Sequence, residues 1–256
     1  MLARAARGAA MRLAGKTAIV TGGGSGFGAG IARRFAAEGA RVMVADINAA
    51  AAEAVAGEIG GIGQQCDVAD AASVAALRGA AEAAWGTVDI LVNNAGVTHL
   101  PAAMEAVTPE DFDRVFAVNC RSIYHTAREI MPIMKAARRG AIVNIASTAA
   151  VSPRPRLSWY NASKGWLVTA TKAMAIELAP FGIRVNALNP VAGETPLLKS
   201  FMGEDTPEMR AKFLATIPIG RFSTPEDLAA AALFLASDEA GMVTGVAMEV
   251  DGGRCI

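Results

Sequence analysis

Cysteine and histidine are scarce in this 256-residue chain, and each scarcity removes a class of function. The three cysteines, Cys66, Cys120 and Cys255, lie far apart with no Cys-x-x-Cys spacing. Neither a disulfide scaffold nor a thiolate metal centre is expected, and the thiols read as reduced groups of a cytoplasmic protein. With only His99 and His125 available, a histidine metal site or a Ser-His-Asp triad has few possible members, and no metal is expected. Net charge is absent too, since 24 Lys+Arg balance 24 Asp+Glu. That leaves no whole-molecule field to draw nucleic acid or anionic lipid, so a small-molecule partner is expected. No apolar run reaches the roughly 20 residues that span a bilayer.

The opening MLARAARGAAMR lacks the apolar centre of a secretory signal. Two readings stay open for it, a short targeting peptide or a disordered extension over residues 1–12 with Met11 as the real start. The second is adopted, because folded pattern begins at Leu13. Aromatics make up 5% of the chain and hydrophobic residues 53%. The core must therefore be built from Ala, Val, Ile and Leu, as in sheets covered by helices on both faces.

What is present is an alternation. Short, nearly continuous apolar runs occur at 17–20, 41–47, 88–96, 140–147, 182–190 and 246–253, and a third strand is expected to end at Asp67. Between them lie segments rich in Ala, Glu, Lys and Arg at 27–38, 49–58, 70–85, 108–138, 158–179 and 225–236. The alternation predicts an α/β fold over 13–256, a single domain built on a Rossmann-like, doubly wound parallel sheet of about seven strands with right-handed crossovers. The stretch 191–224, with Pro196, Pro207 and Pro218 among apolar residues, is too long for a plain connection. It reads as a substrate lid, or as short helices that only pack or make a subunit contact.

TGGGSGFG at 21–28 follows the first strand and opens the first helix, the setting in which a glycine-rich run means dinucleotide binding. Gly22, Gly26 and Gly28 allow the turn, the approach of a pyrophosphate and close helix packing, with Ser25 and Phe27 in the same cradle. Asp46, 24 positions after Gly22, ends the second strand, where a carboxylate accepts from the adenosine ribose hydroxyls. A 2′-phosphate there would meet like charge, and neighbouring Ile47 and Asn48 supply no cation. NAD is therefore expected over NADP, with Arg33 and Arg34 read as surface residues. Asp67 and Val68 are candidates to bracket the adenine.

Tyr160 and Lys164 are four apart in WYNASKG and share one face of a helix. A phenol of pKa about 10 is a poor base at neutral pH, and an ammonium nearby would lower that value. Ser147, at the end of a strand, is placed to hydrogen-bond a substrate oxygen as charge develops on it.

Taken together, TGGGSGFG, NNAG at 93–96, Asn119, Ser147 and Tyr160-x-x-x-Lys164 resemble the classical short-chain dehydrogenase/reductase family over about residues 13–253. The resemblance implies that Tyr160 is the general acid/base, that Lys164 lowers its pKa and holds the nicotinamide ribose, and that Ser147 orients the substrate. It further implies a water-linked proton relay at Asn119, a cofactor-lining turn at Asn94, Ala95 and Gly96, a structural Asn93, and a carboxamide contact at Thr195. A homotetramer paired through 108–138 and 158–179 is implied as well. Pro190 ends the sixth strand in the cofactor loop, but Val191 stands where the family usually has glycine, so an altered local backbone is expected there.

These readings make the chain an oxidoreductase that interconverts a secondary alcohol and a ketone with NAD(H). The alternatives are an NADPH-dependent 3-oxoacyl-[acyl-carrier-protein] reductase and a non-catalytic NAD-binding sensor. Residues expected to flank the substrate are Thr98, His99, Leu100, Thr148, Ala149, Arg154, Arg156 and Leu157. Arg154 or Arg156 would bind a carboxylate or phosphate if it points inward, and is otherwise a solvated arginine.

Overall fold

Side chains alternate between two cores along the central strands, as a pleated strand covered on both faces requires. In the computed structural model, which describes residues 11–256, Ala18 and Val20 of β1 (Thr17–Thr21) join one core and Ile19 joins the other. Val42 and Val44 of β2 (Arg41–Asp46) follow the first pair, while Met43 and Ala45 take the opposite face. In β4 (Ile90–Asn93) Ile90 and Val92 face one core and Leu91 the other. Each fully buried Val, Ile or Leu is worth about 1.5–3 kcal/mol relative to exposure.

The first core is covered by α1 (Gly26–Ala37), α2 (Ala49–Ile59) and α9 (Pro225–Ala236), the second by α3 (Ala71–Trp85), α5 (Ser122–Ala137) and α6 (Ser158–Leu178). Asn48, Asp70 and Thr224 cap α2, α3 and α9 with side-chain oxygens, and Gly60 and Gly86 end α2 and α3 in the left-handed conformation.

All strands are parallel, in the order β3-β2-β1-β4-β5-β6-β7, with β3 (Ile62–Gln65), β5 (Gly140–Ile145), β6 (Ile183–Pro190) and β7 (Ala247–Val250) completing the sheet. The single-domain, doubly wound architecture expected from the sequence is the one found. The order reverses between β1 and β4, and a crevice opens there beyond the carboxyl ends of the strands. β3 is the strand that left no apolar run, because it is a half-exposed edge strand reading IGQQ.

The helical segment expected over 108–138 is found, with a change of pitch inside it. It runs as α4 (Pro109–Phe116), a π-helical turn (Ala117–Arg121) and then α5. The wide turn carries Asn119, which is held by the loop after β4 rather than by the helix: its amide accepts from Val97 N–H at 2.9 Å and donates to Val97 C=O at 2.9 Å.

Residues 191–224 are not a plain connection. They contain α7 (Leu198–Met202) and α8 (Pro207–Leu214) around a separate apolar cluster of Val191, Leu198, Met202, Phe213, Ile217 and Phe222. Val191 is buried at the head of that cluster, and the positive-φ non-glycine residues among those described are Arg138 and Arg156. Valine is thus accommodated without left-handed backbone. At the amino end, Arg12 lies inside the expected extension yet is tied down, its N–H to Glu38 and its guanidinium to Glu239. Residues 1–10 of that extension fall outside the described residues. No helix among the described residues is long and apolar enough to cross a membrane.

Candidate functional site

One cavity of about 440 Å³ occupies the crevice, within the size range of ligand sites. Its floor is the glycine-rich turn. Gly22 and Gly26 have φ of 60° and 51°, left-handed values that side chains rarely adopt. A Cβ on Gly22 would sit 2.9 Å from Ala95 Cα, and one on Gly26 would sit 3.2 Å from Thr195 Cβ. Gly28 does not line the cavity; it lies beneath, where any Cβ would collide with the Gly22 carbonyl. Ser25 precedes α1 without a side-chain bond to its first turn, so those N–H groups keep their capacity to bind an anion. Ser25, Phe27 and Thr195 line the same space. The cradle fits the pyrophosphate of a dinucleotide.

Asp46 stands on one flank, with Oδ2 accepting from Gly24 N–H at 2.9 Å and Oδ1 from Asn48 N–H at 3.0 Å. Each carboxylate oxygen keeps a lone pair for a ribose hydroxyl. Arg33 pairs with Glu58 and Arg34 with Glu38 at the surface, as the sequence suggested. Asp67 and Val68 line this end of the cavity beside Ile47 and Cys66. On the opposite flank Asn94, Ala95 and Gly96 form a turn that reasoning from sequence did not trace to its anchor. Thr21 Oγ accepts from Asn94 N–H at 3.0 Å and Ala95 N–H at 3.2 Å, while the Asn94 amide donates back to the Thr21 and Gly22 carbonyls. The signal was a threonine closing β1 immediately before the glycines. Asn93 is structural, bonded to Asn144 at 2.8 Å.

The reactive end gathers Ser147, Tyr160, Lys164 and Pro190 around the cavity. Tyr160 is 5% exposed, and its ring meets Phe201 of α7 edge-to-face at 5.0 Å. Lys164, one turn along α6, donates to the Ile145 carbonyl at 2.9 Å, with Nζ 5.9 Å from the Tyr160 ring centre. The sequence expects the lysine to lower the phenol's pKa. Burial dominates among the protein's own groups, pushing Tyr160 up to about 12 with Ser147 offsetting part of the rise. The same burial pulls Lys164 down to about 8.

Asn119 does not line the cavity. Both its N–H groups and one oxygen lone pair are engaged by Val97 and Ser163, so the relay expected of it has one Oδ1 lone pair to run through. Ser163 in turn donates to the Tyr160 carbonyl at 2.7 Å, which couples the π turn to the first turns of α6.

Of the residues expected to flank the substrate, Thr148, Ala149, Arg154 and Leu157 line the cavity. Thr98, His99, Leu100 and Arg156 do not: His99 is buried with Nδ1 against the Leu100 carbonyl, and Arg156 is exposed and bonds Pro101. No cluster of three or more His, Cys, Asp or Glu that could hold a metal exists among the described residues.

Comparison with known proteins agrees with this geometry. A family model described as enoyl-(acyl carrier protein) reductase matches residues 22–254. The 4-formylbenzenesulfonate dehydrogenase of Comamonas testosteroni is 49% identical over 252 residues, covering 96% of this chain and 100% of that one. The D-threitol dehydrogenase of Mycolicibacterium smegmatis is 43% identical over 250 residues, covering 96% and 95%. Among solved structures, a 3-ketoacyl-(acyl-carrier-protein) reductase from Brucella melitensis complexed with NADH superimposes with a TM-score of 0.91 at 53% identity, covering 95% of this chain and 100% of that one.

Proposed function

The chain belongs to the short-chain dehydrogenase/reductase family and is a nicotinamide-dependent oxidoreductase acting on CH–OH groups; from that premise we propose that it interconverts a secondary alcohol and a ketone with NAD(H), using Tyr160 for proton transfer. The observation that carries this reading is the convergence of Ser147, Tyr160 and Lys164 on one cavity whose other end is the glycine cradle. The bound dinucleotide supplies or takes up the hydride. Tyr160, neutral across the physiological range, gives its proton to the carbonyl oxygen in reduction, and the phenolate takes it back in oxidation. Ser147, whose Oγ accepts from Ala149 N–H at 3.0 Å, keeps its own O–H to donate to the same oxygen. Lys164 holds positive charge below about pH 8, where it favours the phenolate and donates to the nicotinamide ribose.

Asn94, Ala95, Gly96, Pro190 and Thr195 hold the nicotinamide half, and Asp67 and Val68 the adenine. Residues 191–224 act as the lid, Phe201 closing on Tyr160. Asp46 selects NAD. Its carboxylate repels a 2′-phosphate, and Arg33 and Arg34 are already paired. We expect kcat/KM with NADH to exceed that with NADPH by about 10-fold or more, and Asp46→Ala to narrow the ratio. Better turnover with NADPH would overturn the NAD assignment. It would favour a second reading that the name of the Brucella melitensis relative supports, reduction of a 3-oxoacyl thioester. A non-catalytic sensor has no support from a site that retains all three reactive side chains.

A homotetramer is part of the same reading. Phe112 and Phe116 of α4, Tyr124 of α5 and Trp159, Trp166 and Ile176 of α6 are 37–78% exposed, an apolar surface of the kind that covers itself on association. Light scattering is expected to give about four times the 26.3 kDa chain mass; a monomeric mass would refute it. The three free cysteines are consistent with a reducing, cytoplasmic setting.

A further inference from the structure

One guanidinium group without a carboxylate partner lines the cavity, and a second stands next to it outside the lining. Arg154, in the loop leading into α6, lines the cavity and lies over the Phe213 ring at 4.3 Å; its one side-chain hydrogen bond is a long one, to Thr216 Oγ at 3.5 Å. No Asp or Glu among the described residues reaches it within 4.0 Å. Two acids of the 191–224 segment, Asp205 and Glu194, bond Arg210 instead. Arg254 stands beside Arg154, donating to Ser152 Oγ at 2.8 Å while its Nε is buried without a partner. Burial, with Arg254 as like-charged neighbour, draws Arg154 down to about 10, so it remains a cation at neutral pH.

Two adjacent, partly desolvated and unneutralised cations destabilise the protein unless an anion joins them. Between Arg154 and Tyr160 the cavity is walled by Phe213, Phe201, Leu157 and Ala149. These observations set an apolar wall between the proton-transfer groups and the Arg154 cation, apart from the glycine cradle.

We propose that Arg154, reinforced by Arg254, binds a carboxylate or sulfonate on the substrate, so that the preferred substrate is an alcohol or ketone with an apolar body and an anionic group remote from the reacting oxygen. The proposal deepens the reading of the site as an alcohol–ketone oxidoreductase and rests on it. Guanidinium pairs bidentately with both anions, and a charge-assisted pair shielded by aromatic rings is stronger than one in water.

The test compares 4-(1-hydroxyethyl)benzoate and the corresponding sulfonate with neutral 1-phenylethanol, each with NAD. The wild-type ratio of kcat/KM for anionic over neutral substrate is expected to fall about 10- to 100-fold in Arg154→Met, chiefly through KM. Arg154→Lys is expected to restore part of it, and the ratio should survive in Arg156→Met, which alters an exposed arginine outside the cavity. Should Arg154→Met fold poorly, Arg154→Lys and Arg254→Gln read the same ratio. An unchanged ratio in Arg154→Met would overturn the proposal. So would an unchanged ratio accompanied by loss of the oligomer, which would assign the cation to a carboxylate of a second copy of the chain. Failure of wild type to turn over any of the alcohols or their ketones would instead overturn the underlying reading.

Discussion

Tyr160→Phe is expected to lower kcat by about 10²- to 10⁴-fold while leaving dinucleotide binding nearly intact. The substitution deletes one oxygen. The ring keeps its contacts with Phe201, Ala149 and Leu157, so the wall of the cavity stands. What is lost is the O–H that exchanges a proton with the substrate oxygen, and Ser147, which can donate but has no comparable acidity, does not replace it. Stopped-flow turnover together with a cofactor titration checks both halves; retention of more than a tenth of wild-type kcat would remove Tyr160 from the mechanism. The pH profile gives a second check. Burial holds the phenol protonated up to about 12, so ketone reduction has its acid available throughout the neutral range. Alcohol oxidation needs the phenolate, and its rate is expected to climb with pH. Stability carries the same signature with a defined sign. The unfolded chain releases this proton near the ordinary phenol value of 10.0 and the folded chain near about 12, so wild-type stability is intact below pH 10 and falls across that window. The fall amounts to about 2–3 kcal/mol, and the Phe variant should lack it.

Lys164→Met is expected to cost about 10²-fold or more in kcat/KM and yet to yield a more stable protein at pH 7. The amine sits 4% exposed on α6, and its folded pKa of about 8 lies below the ordinary lysine value of 10.5. The unfolded chain therefore binds the proton more readily over that interval, and wild-type stability rises with pH from about 8 to 10.5 and is lowest below it. Methionine removes that penalty of about 3 kcal/mol but leaves the Ile145 carbonyl without its donor, which returns about 1–2 kcal/mol. A net gain of about 1–2 kcal/mol is expected near neutrality, and it should vanish as pH approaches 10.5. Thermal denaturation across pH measures it. A variant less stable than wild type from pH 7 to 10 would mean that the amine is comfortably solvated, and the electrostatic account of the site would fail.

Much of the architecture could be read locally because its signals are local. Alternating apolar strands and Ala-rich helices report their own periodicity, and Tyr160 and Lys164 share a face because a helix repeats every 3.6 residues. The third strand leaves only its end legible near Asp67, because IGQQ is an edge strand with a half-covered face and needs no apolar run. Side chains over 108–138 carry helical periodicity throughout, whereas the π turn inside it lets Asn119 reach Val97 across 22 positions of chain.

The same division separates the two electrostatic questions at the site. Sequence spacing sets which charged groups can be neighbours, and by itself it determined the α/β class, the glycine cradle, the Ser147, Tyr160 and Lys164 set and the position of Asp46. Only the tertiary structure decided the sheet order β3-β2-β1-β4-β5-β6-β7 that opens the crevice, and the depth at which burial, rather than Lys164, governs the phenol. It also decided that Arg154 faces the cavity while Arg156 faces solvent. Periodicity is a property of neighbouring residues, whereas desolvation and inward orientation depend on what distant segments bring against them.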